Sequence, residues 1–128
     1  MLIADKTVKI AVLVSGGGTN LQALIDAQKN GILHSGKIVL VISSKPGVYA
    51  LERAAKAGIE SAIADKKSLG GQAAFEEEIT RLLEEHEIEL IVLAGFMSIL
   101  SADFTSKYDG RVINVHPSLI PSFCGKGA

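Results

Sequence analysis

The chain has 128 residues, 13 Lys and Arg against 14 Asp and Glu, a formal net charge of −1 and 48% hydrophobic residues. That length suits one domain, and the apolar content is too high for intrinsic disorder. Near-zero charge argues against a nucleic-acid or polybasic membrane surface, and no apolar run reaches the ~18–20 residues of a membrane span. The single cysteine, Cys124, excludes an intrachain disulfide and a multi-cysteine zinc site, and the opening MLIADKTVK lacks a signal-peptide layout. The expectation is a soluble, cytoplasmic domain with no metal, no nucleic-acid partner and no membrane association.

The elements alternate along the chain. Lys9–Ser15 is a Val- and Ile-rich run ended by three glycines, which predicts a strand buried on both faces. Asn20–Lys29 carries Leu21, Leu24 and Ile25 on one helical face, with Gly31 as its stop. Ile38–Ile42 predicts a second buried strand, closed by Ser43, Ser44, Lys45, Pro46 and Gly47. Tyr49–Ala57 predicts a helix stopped by Gly58, and Glu60–Ala64 a weak third strand. Gln72–His86 is the clearest helix, with Phe75, Ile79, Leu82, Leu83 and His86 on one stripe. Leu90–Ala94 and Val112–Val115 predict two further strands, and Ser101–Lys107 a short helix between them. The acidic clusters Glu76–Glu78 and Glu84–Glu85 are expected on the solvent face of the long helix. Strands alternating with helices imply an α/β fold: an open, mainly parallel sheet with helices on both faces.

Two segments carry candidate chemistry. Ser15–Gly16–Gly17–Gly18–Thr19–Asn20 joins the first strand to the first helix. Ligands of open α/β sheets bind beyond the carboxyl ends of the strands, and a helix N-terminus favours an anion. A phosphate is the natural guest. The dinucleotide fingerprint is broken, because its third glycine is Leu21 and Ser43, Ser44 and Lys45 stand where a ribose-binding acid belongs. The loop therefore suits a phosphate monoester, or it is a tight turn with no ligand. The second segment is Asn114–Val115–His116–Pro117–Ser118, leaving the last predicted strand. A period of two puts Asn114 and His116 on one side of the extended chain, and Pro117 ends the strand. An amide can donate to a developing oxyanion, and imidazole, with a pKa of roughly 6.5, exchanges a proton near neutrality. The pair suits acyl transfer; alternatively it is a strand-end His held by the backbone beside a turn-forming Asn. His34 and His86 read as structural, and Cys124 as a loop thiol with no activating partner. Between the two segments, Leu93–Leu100 (LAGFMSIL) runs apolar past a strand end, either walling a flat pocket or packing under a loop.

The stretches VLVSGGGTNLQALIDA, ERAAKAGIE, ELIVLAGFMSILS and GRVINVHPSLIP, in this order, resemble the phosphoribosylglycinamide formyltransferase (GAR transformylase) family, from about Val8 to Pro121. The resemblance implies a Rossmann-like formyltransferase fold. It also implies transfer of a formyl group from 10-formyltetrahydrofolate, as co-substrate, to the amine of phosphoribosylglycinamide (GAR) in purine synthesis. By motif position, Gly18, Thr19 and Asn20 would hold the GAR phosphate. Met97, Ser98, Ile99 and Leu100 would line the folate pocket, with Asn114 touching the formyl end. His116 would be the proton donor and Asn114 an oxyanion stabiliser. Two rival functions are a non-catalytic phosphate-ligand-binding fragment and a formyltetrahydrofolate hydrolase.

Three departures from the family pattern accompany the resemblance. Ser98 stands where a basic residue is frequent, and Gln72 where some members use an arginine on the folate side. The family also continues past a position equivalent to Ala128, with further strands and an aspartate that accompanies the histidine. On this reading residues 1–128 form a single N-terminal formyltransferase domain lacking the C-terminal portion. An apolar sheet edge would then be open to association, as in a homodimer.

Overall fold

A computed structural model of the chain describes residues 8–30, 36–96 and 100–115. Strand β1 (Val8–Val14) leads to helix α1 (Thr19–Lys29), β2 (Gly36–Ser43), α2 (Tyr49–Lys56) and β3 (Glu60–Ile63). A short α3 (Lys66–Leu69), α4 (Gln72–Glu85), β4 (Leu90–Ala94), α5 (Ala102–Lys107) and β5 (Val112–Val115) complete the order. All five strands pair in parallel in one sheet, ordered β3-β2-β1-β4-β5. The expected α/β architecture and every expected element are present, with boundaries differing by a residue or two. Among the described residues no helix is long and apolar enough to cross a membrane.

Burial on both faces explains the unbroken apolar strands. In β1, Ile10, Val12 and Val14 pack with Leu21 and Ile25 of α1 and Ala50 and Ala54 of α2. The alternate residues Ala11 and Leu13 pack on the other face with Phe75, Ile79 and Leu83 of α4 and Phe104 of α5. Strand β2 breaks this period of two. Ile10 lies opposite Ile38, but Ala11 lies opposite Leu40, so the register shifts at Val39. The extra residue is a β-bulge. It lets Ile38 and Val41, three residues apart, share the α1/α2 face while Leu40 and Ile42 face α4.

Helix ends follow local chemistry. After α2 the chain turns at Gly58, whose φ of 73° lies in the left-handed region. The Ile59 N–H there donates back to the Ala54 carbonyl at 2.9 Å, the kind of bond that closes a helix C-terminus. Helix α3 was not expected; at four residues it is too short to show periodicity. Its signal is local: the Asp65 side chain caps the Lys67 N–H at 3.2 Å. A correction concerns Glu76, which does not belong to a solvent-facing cluster. Its carboxylate accepts from the Ser101 N–H at 2.6 Å and the Ser101 hydroxyl at 2.7 Å. Ser101 in turn caps α5 by accepting from the Phe104 N–H. Sequence spacing cannot show this contact, because the partners are 25 residues apart. Glu77, Glu84 and Glu85 are exposed as expected.

Candidate active site

Strand order reverses beside β1: β2 and β3 lie to one side, β4 and β5 to the other. Loops leaving β1 and β4 therefore diverge, and a crevice opens at the carboxyl end of the sheet. The crevice is a cleft of about 270 Å³ lined by Ser15, Gly16, Gly17, Gly18, Thr19 and Asn20 after β1, by Lys45 after β2, and by Ala94 and Gly95 of the β4 end. The whole glycine segment singled out from sequence thus lines one cavity.

The loop is shaped by its contact with α2. Gly18 has φ 83°, and a Cβ there would lie 2.7 Å from Ala50 Cβ and 2.9 Å from Ala50 Cα. Only glycine allows both the left-handed backbone and this approach. Gly18 is also the N-cap of α1, so no side chain caps the helix, and the first turn holds no acid. The opening N–H groups of a helix have no partner within it, and the helix dipole places positive charge there. Lys45 adds a cation to the same cleft. Its backbone is fixed by Ser43, whose hydroxyl accepts from the Lys45 N–H at 3.1 Å and donates to the Lys45 carbonyl. The buried hydroxyls of Ser15 and Ser44 join the ends of β1 and β2 at 2.7 Å. Amides, a dipole and a lysine around an open cleft are the chemistry that suits an anion.

Asn114 lies on β5 opposite Leu93, and Val115 lies opposite Ala94. Because the strands are parallel, β5 ends on the side where Ala94 and Gly95 line the cleft. Asn114 is exposed and is not among the described lining residues. Leu100 is half-buried against the core on the α4/α5 face, together with Phe96. Gln72 bonds Glu76 at 2.6 Å through its amide nitrogen. Gly31, His34, Met97, Ser98, Ile99, His116, Pro117, Ser118 and Cys124 lie outside the described residues. His86 ends α4 as expected, its Nδ1 on the Leu82 carbonyl at 2.9 Å and its Nε2 on Glu60 at 3.1 Å. Sequence reasoning gave Lys45 no site role, although a base in place of the ribose-binding acid was the available signal. Arg53 was missed altogether. Its Nε donates to the Gly17 carbonyl at 2.8 Å, a contact across 36 positions with no local pattern.

Comparison with known proteins bears on the family and the fold. Residues 8–128 match the family model described as formyl transferase. The trifunctional purine biosynthetic protein adenosine-3 of Gallus gallus is 48% identical over 126 residues, which cover 98% of this chain and 12% of that protein. The phosphoribosylglycinamide formyltransferase of Haemophilus influenzae is 44% identical over 117 residues, covering 91% of this chain and 55% of its own length. A solved phosphoribosylglycinamide formyltransferase from Coxiella burnetii superposes with a TM-score of 0.82 at 41% identity, over 91% of this chain and 54% of that one. The chain therefore spans about half the length of these bacterial relatives. With the family model matched from β1 onward and the sheet shared with solved relatives, the chain belongs to the formyl transferase family.

Proposed function

We propose that the chain transfers a formyl group from 10-formyltetrahydrofolate to the amine of GAR in purine synthesis. One observation supports this reading: an open cleft at the point where strand order reverses, lined by the uncapped start of α1 and by Lys45, in a formyl transferase chain. In this reading Gly18, Thr19 and Asn20 take the ribose phosphate of GAR. Asn114 donates to the oxygen of the formyl carbon as the amine attacks, and His116 moves the proton that the departing folate nitrogen needs. Met97, Ser98, Ile99 and Leu100 border the folate. Anchoring GAR by its phosphate, away from the reacting amine, supplies the orientation that makes a two-substrate transfer fast.

The test is incubation with GAR and 10-formyltetrahydrofolate, with formyl-GAR followed by mass spectrometry. The expected result is product that requires both substrates, formed about 10²–10⁴-fold more slowly after His116→Ala. Formate released without GAR would replace this reading by hydrolysis. GAR bound tightly but never formylated would replace it by a binding function.

A further inference from the structure

Arg53 reaches from α2 to the back of the glycine loop, outside the cleft. Its Nε donates to the Gly17 carbonyl at 2.8 Å and its Nη1 to Gln22 Oε1 at 3.2 Å. Its guanidinium lies 4.7 Å from the centroid of the Tyr49 ring, a cation–π distance. The flanking carbonyls are engaged as well. Gly16 accepts from the Ala50 N–H at 3.3 Å, and Gly18 accepts from the Gln22 N–H at 2.8 Å.

A trans peptide points its N–H opposite to its C=O, and no cis peptide bond occurs among the described residues. Holding the carbonyls of Gly16, Gly17 and Gly18 therefore turns the amides of Gly17, Gly18 and Thr19 the other way. Those three residues line the cleft, while Ala50 and Arg53 do not. Helix amides hold the outer two carbonyls; a side chain holds the middle one. The peptide it holds lies between two glycines, where the backbone is free to rotate.

We propose that Arg53 is a positioning residue for the anion site: it fixes the Gly17–Gly18 peptide so that the Gly18 amide faces the bound phosphate. The proposal rests on the phosphate reading of the loop and adds a residue that does not touch the ligand. Calorimetry with GAR on the wild type, Arg53→Met, Arg53→Lys and Lys56→Met tests it. Arg53→Met weakens GAR binding about tenfold, since it removes one charge-assisted hydrogen bond that organises the site. Arg53→Lys keeps a cation and a donor and stays within about threefold of wild type. Lys56 contacts Tyr49 but not the loop, so Lys56→Met binds as wild type.

The Gly18 amide resonance supplies a second readout. It shifts on titration of the wild type and Arg53→Lys with inorganic phosphate, and the shift is lost in folded Arg53→Met. A folded Arg53→Met that binds GAR as wild type does, or that keeps the full Gly18 shift at saturation, overturns the proposal. A wild type that binds neither GAR nor phosphate overturns the phosphate reading instead. Should Arg53→Met fail to fold, Arg53→Gln, polar but too short to reach the loop, takes its place with the same expected loss.

Discussion

Gly18 illustrates how much one position without a side chain can decide. Its φ of 83° and the 2.7 Å and 2.9 Å approaches to Ala50 leave a methyl group nowhere to go, because one of the atoms it meets is backbone. Gly18→Ala adds left-handed strain to overpacking and is expected to cost about 2–4 kcal/mol. At Gly17 an added Cβ meets nothing within 4 Å. Gly17→Ala is therefore expected to stay within about 1 kcal/mol of wild type. Urea denaturation of the two variants checks the contrast; equal losses would show that α2 does not press on the loop. His86 gives a second residue-scale expectation. Its pKa is raised first by the bond to the Leu82 carbonyl, against the effect of burial, and further by Glu60 and Glu85. A raised pKa means that the charged ring stabilises the fold. That contribution is complete below the ordinary value of 6.5 and is lost as pH rises through the folded value. Unfolding free energy should thus decline from about pH 6.5 upward, and His86→Gln should flatten the decline. A wild-type profile as flat as the variant's would contradict the assignment.

Elements here are joined by contacts that local patterns do not reveal. Glu76 ties α4 to the start of α5. Burial pushes its carboxyl upward, but the Ser101 N–H and hydroxyl, the Gln72 amide and Lys107 outweigh that and leave the pKa below 4.5. A lowered carboxylate pKa means stability that is present above the ordinary value and lost as pH falls through the folded one. Glu76→Ala should cost about 1–2 kcal/mol at pH 7, with the difference from wild type shrinking toward pH 3 as the carboxyl protonates. A difference independent of pH would show that Glu76 acts through packing alone. The same contact marks the limit of what the sequence discloses. The strands, the long helices and the glycine loop are legible because their causes are local: apolar runs, a stripe of Phe75, Ile79, Leu82 and Leu83, and glycines at strand ends. The bulge at Val39, the Glu76–Ser101 cap and the grip of Arg53 on Gly17 arise from pairs 25 to 36 positions apart or from register between strands, and no window of residues contains both partners. Helix α3 is the exception: its Asp65 cap and the following Gly70 were readable, and brevity hid it.

At the scale of the molecule, the sheet's order explains why the loops after β1, β2 and β4 gather at one end. Parallel pairing brings the exits of β1, β2 and β4 together, with a glycine loop, a lysine and a second glycine lining one cleft. The candidate loop was legible as a loop, but its joining to Gly95 required the crossover from β3 to β4, which sets β4 beside β1. The outer strands differ from the centre: Ile63 of β3 and Ile113 of β5 are 44% and 47% exposed, whereas Val12 and Leu13 of β1 are fully buried. The account stands or falls on whether the anion is the anchor. The direct measurement is the affinity for GAR set beside that for the same ribonucleoside without its phosphate. Losing the charge-assisted bonds to the loop and Lys45 should weaken binding by about a hundredfold or more. Equal affinity for the two would contradict the account.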